Sequence, residues 1–123
     1  MHNINAHQLY AQNHINVESS EKLIELLYEG VLRFNLQAKK AIENKDIEKK
    51  SYWINRSTKV LAALAHNLNF DQGDVAYYLH GLYSYQIEQL SQANLQMDNT
   101  FLDSVNHVMR GLCEAWKDSV NIV

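Results

Sequence analysis

Residues 19–43 read SSEKLIELLYEGVLRFNLQAKKAIE, and this stretch decides the fold. Leu23, Leu27, Val31, Phe34, Ala38 and Ala41 recur at spacings of three and four, with Ile24 and Ile42 widening the stripe. Side chains three or four apart share one face of a helix, so the pattern predicts an amphipathic helix over 19–43 with one apolar side. Ser19 is placed to cap it, and Glu21 puts a negative charge in the first turn, where the helix dipole favours it.

Working outward, Asn44-Lys45-Asp46 breaks the period, and Asp46 can cap a second helix over 46–68. Its seam is Ile54, Ser57, Leu61, Leu64 and Leu68, with Trp53 and Val60 beside it. The run Asn69-Phe-Asp-Gln-Gly-Asp74 is the clearest turn signal in the chain. A third helix over 74–97 carries Val75, Leu79, Leu82, Leu90, Ala93 and Met97 on one face, with Gln86 among them; a buried glutamine there needs a hydrogen-bond partner. Asp98-Asn99-Thr100 ends it. Thr100 with Asp103 makes a capping-box-like start to a fourth helix over 100–118. The stripe of that helix is Phe101, Val105, Val108, Leu112 and Trp116, and the Trp116 ring is expected in the core. Four amphipathic helices with short connections predict an all-α, antiparallel up-and-down four-helix bundle over 19–118. Residues 1–18, polar and without a period, read as a flexible N-terminal arm, and 119–123 as a C-terminal tail. The absence of proline fits long helices with few turns.

At 123 residues the chain is one domain's worth. Apolar residues make up 46% and charged residues 20%, which excludes global disorder. With a net charge of -3 and scattered Lys and Arg, there is no basic stripe to neutralise phosphates, so no nucleic acid is expected as a partner. Cys113 is the only cysteine, so no intrachain disulfide forms, which fits a reducing cytosol. The start MHNINAHQLYAQNH lacks the cationic and apolar regions of a secretory signal, and no apolar run approaches the ~20 residues of a membrane span. A cytosolic protein with no membrane span is expected.

Catalytic chemistry finds no foothold. A di-iron bundle site needs Glu-x-x-His pairs on inward faces, and no such pair occurs. His2, His7 and His14 fall in the arm, while His66, His80 and His107 fall on three different helices, without zinc-like spacing. Cys113 has no helix N-terminus or basic cluster beside it in sequence to activate a thiol. Gly30, Gly81 and Gly111 stand alone inside helices and form no phosphate loop. No catalytic residue, metal or cofactor is expected.

Two surplus apolar lines remain. On the first helix Tyr28, Leu32 and Leu36 form a line at i, i+4 and i+8, off the core direction. On the third, Tyr78 and Tyr85 flank Gly81, where the missing side chain leaves a notch at a cost of about 1 kcal/mol relative to alanine. Either these lines widen helix–helix interfaces, with glycine allowing close packing, or they form a groove for an incoming amphipathic segment. Two such lines in one small bundle favour a binding surface.

The run Ser20–Gly30, then Leu79-His-Gly-Leu-Tyr83, Gln92-Ala-Asn94, Asp98 and Glu114-Ala-Trp116 resembles the flagellin-specific flagellar secretion chaperones, in order and spacing from about Tyr10 to Trp116. Ser20 stands where that family usually has proline, and the single Gly73 where it commonly has Gly-Gly. The resemblance implies a cytosolic, mainly monomeric helical bundle that binds the C-terminal segment of flagellin and prevents its premature polymerisation. It would then deliver flagellin to the export apparatus, with an export-gate component or co-chaperone as a possible further partner. It also implies that the arm, through Leu9, Tyr10 and Ile15, can lie over the client groove. The competing expectation is a regulatory protein that dimerises through the surplus apolar surface.

Overall fold

The computed structural model describes residues 20–121. Helix α1 runs Ser20–Glu43, α2 Ile47–His66, α3 Asp74–Gln96 and α4 Asn99–Asn121, and a single 3-10 turn, Phe70–Gln72, lies between α2 and α3. Each helix packs on its neighbours in the chain and α4 closes back onto α1, while α1 does not pack on α3 nor α2 on α4. This is the ring of an up-and-down four-helix bundle. The expected cap Ser19, the arm and residues 122–123 lie outside the described residues. The fourth helix continues to Asn121, so the expected tail from 119 is helical for three more residues.

The helix ends follow from local chemistry. Lys45 takes the left-handed conformation at φ 56. The Asp46 N–H then donates to the Ala41 carbonyl at 2.8 Å and the Lys45 N–H to that of Ile42 at 3.1 Å, which satisfies the last carbonyls of α1. Asp46 next caps α2, its carboxylate accepting from the Lys49 N–H at 3.1 Å. Gly73 lies at φ 85 and ψ -145, backbone that a side chain would strain, which is why the turn carries glycine there. The start of α4 corrects the expected Thr100–Asp103 box. Because the helix begins at Asn99, Asp98 is the capping residue, accepting from both the N–H and the hydroxyl of Thr100 at 2.9 Å. Asp103 instead pairs with Lys39 of α1 at 2.6 Å.

The core contains Leu23, Leu27, Val31, Ile54, Leu61, Leu64, Leu90, Leu102, Val105 and Met109, as the stripes of α1 and α2 led one to expect. Gln86, Leu90 and Ala93 of α3 and Val105 of α4 are buried as expected, but in the first half of α3 and over the rest of α4 the inward direction lies about one residue away from the expected stripe. The buried seam of α3 is Ala76, Tyr83, Gln86, Leu90 and Ala93, and Val75, expected inside, is 64% exposed. On α4 it is Leu102, Val105, Asn106, Met109 and Cys113, with Phe101, Leu112 and Trp116 half-buried at its flanks. Trp116 therefore packs on the core from its edge, and its indole N–H donates to the Glu21 carbonyl at 2.8 Å, tying the end of α4 to the first turn of α1.

Two polar devices sit inside this core. The Asn35 side chain accepts from the Ser57 hydroxyl at 2.6 Å and donates to the Asn106 side-chain oxygen at 2.9 Å, joining α1, α2 and α4 in one buried layer. Across the diagonal, the phenols of Tyr28 and Tyr83 share a hydrogen bond of 2.6 Å, linking α1 to α3, whose backbones do not pack together. Tyr28 is 3% exposed and Tyr83 2%. Burial pushes both phenols above their ordinary value of 10.0. A third tie joins α2 to α3: Lys50, itself buried, donates to the Asn94 carbonyl at 2.7 Å, and Ser51 donates to the Asn94 side chain at 3.2 Å.

Asn35→Ala leaves Ser57 and Asn106 without their partner and opens a cavity, so it should cost about 2–4 kcal/mol in chemical denaturation. The tyrosine pair gives a pH signature. A folded-state value raised above the unfolded one means that the stability is complete below pH ~10 and is lost as pH rises, because the unfolded chain ionises first. Melting should therefore fall above pH ~10, by up to about 1.4 kcal/mol per pH unit for each phenol. The Tyr28→Phe, Tyr83→Phe double variant should lack that part of the decline.

Candidate functional site

Helix α3 has two apolar faces. Its inner seam is spent on the core, while Tyr78 is 68% and Tyr85 57% exposed on the other side, with Tyr77 and Val75 also in solvent. Gly81 lies between the tyrosines, and a Cβ built there would meet nothing within 4 Å. Among the described residues no neighbouring helix fills the gap, so close helix packing does not account for the glycine. A mid-helix glycine that costs about 1 kcal/mol therefore has no packing reason among the described residues. The aromatic surface extends past the helix start, where Phe70 of the 3-10 turn meets Tyr77 at 4.8 Å and His80 at 5.7 Å between ring centroids.

The electrostatics of this face are one-sided. No lysine or arginine occurs between Lys59 and Arg110, while Asp71, Asp74 and Glu88 do. The face is thus aromatic and neutral to weakly acidic. It can bury apolar side chains and accept or donate single hydrogen bonds through phenols, the combination that makes tyrosine common in protein interfaces.

The expected line on α1 does not survive as a surface. Tyr28 is buried, Leu32 is half-buried against the core, and only Leu36, 51% exposed, faces solvent. The reason is geometric. Tyr28 is one residue past Leu27, so it sits at the margin of the stripe and not opposite it, and its long side chain reaches inward to Tyr83. Nor do the two lines form one groove. α1 and α3 stand on a diagonal of the bundle, so Leu36 and the Tyr78–Gly81–Tyr85 face point away from each other. Leu9, Tyr10 and Ile15 of the arm lie outside the described residues.

Sequence reasoning missed Tyr77 and Phe70 as members of the exposed aromatic surface. The signal was present: Tyr77 precedes Tyr78 and shares the outer side with Gly81 at i+4. It also missed Asn35 and Asn106 as buried residues, because a stripe picked out by its apolar side chains passes over an amide within it.

Among the described residues no group of three His, Cys, Asp or Glu side chains could hold a metal, and no helix is long and apolar enough to cross a membrane. Cys113 is buried, and burial pushes its thiol up, which disfavours the reactive thiolate.

Comparison with known proteins gives a consistent result. The family described as Flagellar protein FliS matches residues 1–122. The chain is 44% identical over 122 residues to the flagellar secretion chaperone FliS of Campylobacter jejuni, covering 98% of this chain and 95% of that protein. It is 30% identical to the flagellar secretion chaperone FliS of Escherichia coli, covering 92% and 88% respectively. The Bacillus subtilis protein of the same name is 29% identical, over 94% of this chain and 86% of its own length.

Since the outer face of α3 carries no load in the fold, Tyr78→Ser and Tyr85→Ser should each change stability by less than about 0.5 kcal/mol. Gly81→Ala should stabilise the free protein by about 0.5–1 kcal/mol, because the methyl group meets open space and the backbone gains helix propensity. Urea unfolding of the three variants measures both effects.

Proposed function

This chain belongs to the Flagellar protein FliS family, and from that premise we propose that it binds the C-terminal segment of flagellin through the outer face of α3. It is an export chaperone of the flagellar secretion system, and the family is one of chaperones and not of enzymes. On our reading it works in the cytosol, masks the client segment until export and so prevents premature polymerisation. It then hands the client to the export apparatus.

The observation that carries the reading is the Gly81 notch between exposed Tyr78 and Tyr85, an apolar surface with no role in the core. An amphipathic client helix could seat an apolar side chain in the notch with the phenols on either side. Leu36 on the opposite side of the bundle would be reached only by a client that continues around it, which suits a segment without structure of its own. Such a client loses conformational entropy on binding and therefore needs a large contact area to compensate.

Calorimetric titration of the full chain with the flagellin C-terminal segment tests this. Tyr85→Ser and Tyr78→Ser should each weaken binding by about tenfold or more, in keeping with aromatic anchors worth 2 kcal/mol or so. Gly81→Leu should abolish it while the helicity stays intact. Unchanged affinity in all three folded variants would place the client elsewhere. The free protein should sediment mainly as a monomer; a dimer that Tyr85→Ser dissociates would make the tyrosine face a self-association surface instead.

A further inference from the structure

A second surface, on the side of α1 that packs against α2, has a different chemistry. Phe34 of α1 and Trp53 of α2 stack with ring centroids 5.8 Å apart, and Tyr52 lies against Trp53 at 4.9 Å. The Arg56 guanidinium sits 4.7 Å from the centre of the Phe34 ring and within 6 Å of both Tyr52 and Trp53. It also donates to the Tyr52 hydroxyl at 2.9 Å. Arg33 approaches the same Phe34 ring, at 5.8 Å.

Two guanidiniums therefore share one ring, and among the described residues neither has a carboxylate partner. Elsewhere on α1 the pairing is the opposite: Lys39 meets Asp103 at 2.6 Å, and Lys117 of α4 meets Glu29 at 3.2 Å. The seam between α1 and α4 is thus laced by ion pairs, whereas on the seam between α1 and α2 neither arginine is paired, although Glu48 lies on the same side of α2 one turn before Tyr52. Lys49 and Lys59 of α2 add further cations. Like charges this close repel within a Debye length of about 8–10 Å, and an anion placed between them relieves the repulsion. Arg56 is also held in advance. Its stacking and its bond to Tyr52 fix the planar fork, so less freedom is lost when the remaining N–H groups take a carboxylate.

We propose that this face of α1 and α2 is a docking site for an acidic peptide segment of a protein partner. Arg33 and Arg56 receive its carboxylates over the Phe34–Trp53–Tyr52 platform. The site goes beyond the flagellin reading and does not depend on it. Arginine, tryptophan and tyrosine are the residues that dominate binding energy in protein interfaces. A nucleic acid fits less well: the cations form one short cluster, the chain's net charge is -3, and the 50 residues between Lys59 and Arg110 supply none to continue a phosphate track.

A short fluorescent peptide of alternating glutamate and leucine, titrated into the full-length protein and followed by anisotropy, tests the site. The peptide should bind with an affinity that falls as salt rises, and its glutamine-for-glutamate counterpart should not bind. The Arg33→Gln, Arg56→Gln double variant should bind it about tenfold or more weakly. Arg33→Gln alone, at an exposed position, should show part of that loss at unchanged helicity. Arg56→Lys should fall between wild type and the double variant, because it keeps the charge and loses the planar stack. In NMR spectra the indole signal of Trp53 should shift on binding and that of Trp116 should not. Tyr85→Ser should leave peptide binding unchanged, which separates this site from the one on α3. The proposal is overturned if the double variant binds the peptide as wild type does. It is overturned equally if the glutamate peptide fails while an oligonucleotide or an anionic lipid vesicle binds through Arg33 and Arg56.

Discussion

The amide of Asn35 is fully buried, and a buried amide must find its hydrogen bonds inside the protein. It finds them only when α2 presents Ser57 and α4 presents Asn106 at the same height in the bundle. An all-leucine core tolerates one helix sliding past another with little loss, since apolar contacts are non-directional. A shared polar layer does not, because a slip of one turn strands three buried polar groups at once. α3 stands outside this layer and is held by other polar ties, the Tyr28–Tyr83 bond across the diagonal and the Lys50 and Ser51 bonds to Asn94. The register of all four helices thus rests on groups in the interior or at the seams. Among the described residues, Tyr78, Gly81 and Tyr85 on the outer face of α3 take no part in these ties.

These ties account for several of the motifs that carry the family resemblance. Leu27-Tyr28 and Leu82-Tyr83 supply the two phenols that bond across the core. Ala93-Asn94 packs one residue inside and uses the next to tie α3 to the start of α2. Ala115-Trp116 pins the first turn of α1. These are scaffold contacts. Within the Leu79–Tyr83 run, His80 and Gly81 instead lie on the open surface, and Gly81 has Tyr78 and Tyr85 as its neighbours there.

The helices were legible because α1 and α2 repeat aliphatic residues at three and four with little interruption. The first half of α3 and most of α4 face inward about one residue away from the expected stripe, while Gln86, Leu90, Ala93 and Val105 are buried as expected. The seams there include Tyr83, Asn106 and Cys113, which a count of aliphatic side chains passes over in favour of Val75 and Leu82 or of Val108 and Leu112. The same rule made Tyr28 look like surface. A tyrosine at the margin of a stripe goes in or out according to whether its hydroxyl has a partner inside, and Tyr83 is 55 residues away in the chain. On α3 Tyr78 and Tyr85 lie outside the core as their spacing implied, with Gly81 open between them. The Arg33–Phe34–Arg56 cluster was invisible to the sequence, since no local spacing relates its two helices.

Tyr28 and Tyr83 belong to the scaffold, and Tyr77, Tyr78 and Tyr85 form the surface proposed to meet the flagellin segment. Hydroxyl-radical footprinting of the tyrosines, with and without the flagellin C-terminal segment, tests both halves in one measurement. Tyr28 and Tyr83 should be nearly unreactive in both states. Tyr78 and Tyr85 should be strongly modified in the free protein and protected in the complex, with Tyr77 protected at least in part. If the complex forms while Tyr78 and Tyr85 stay as reactive as in the free chain, the outer face of α3 is not where the client binds.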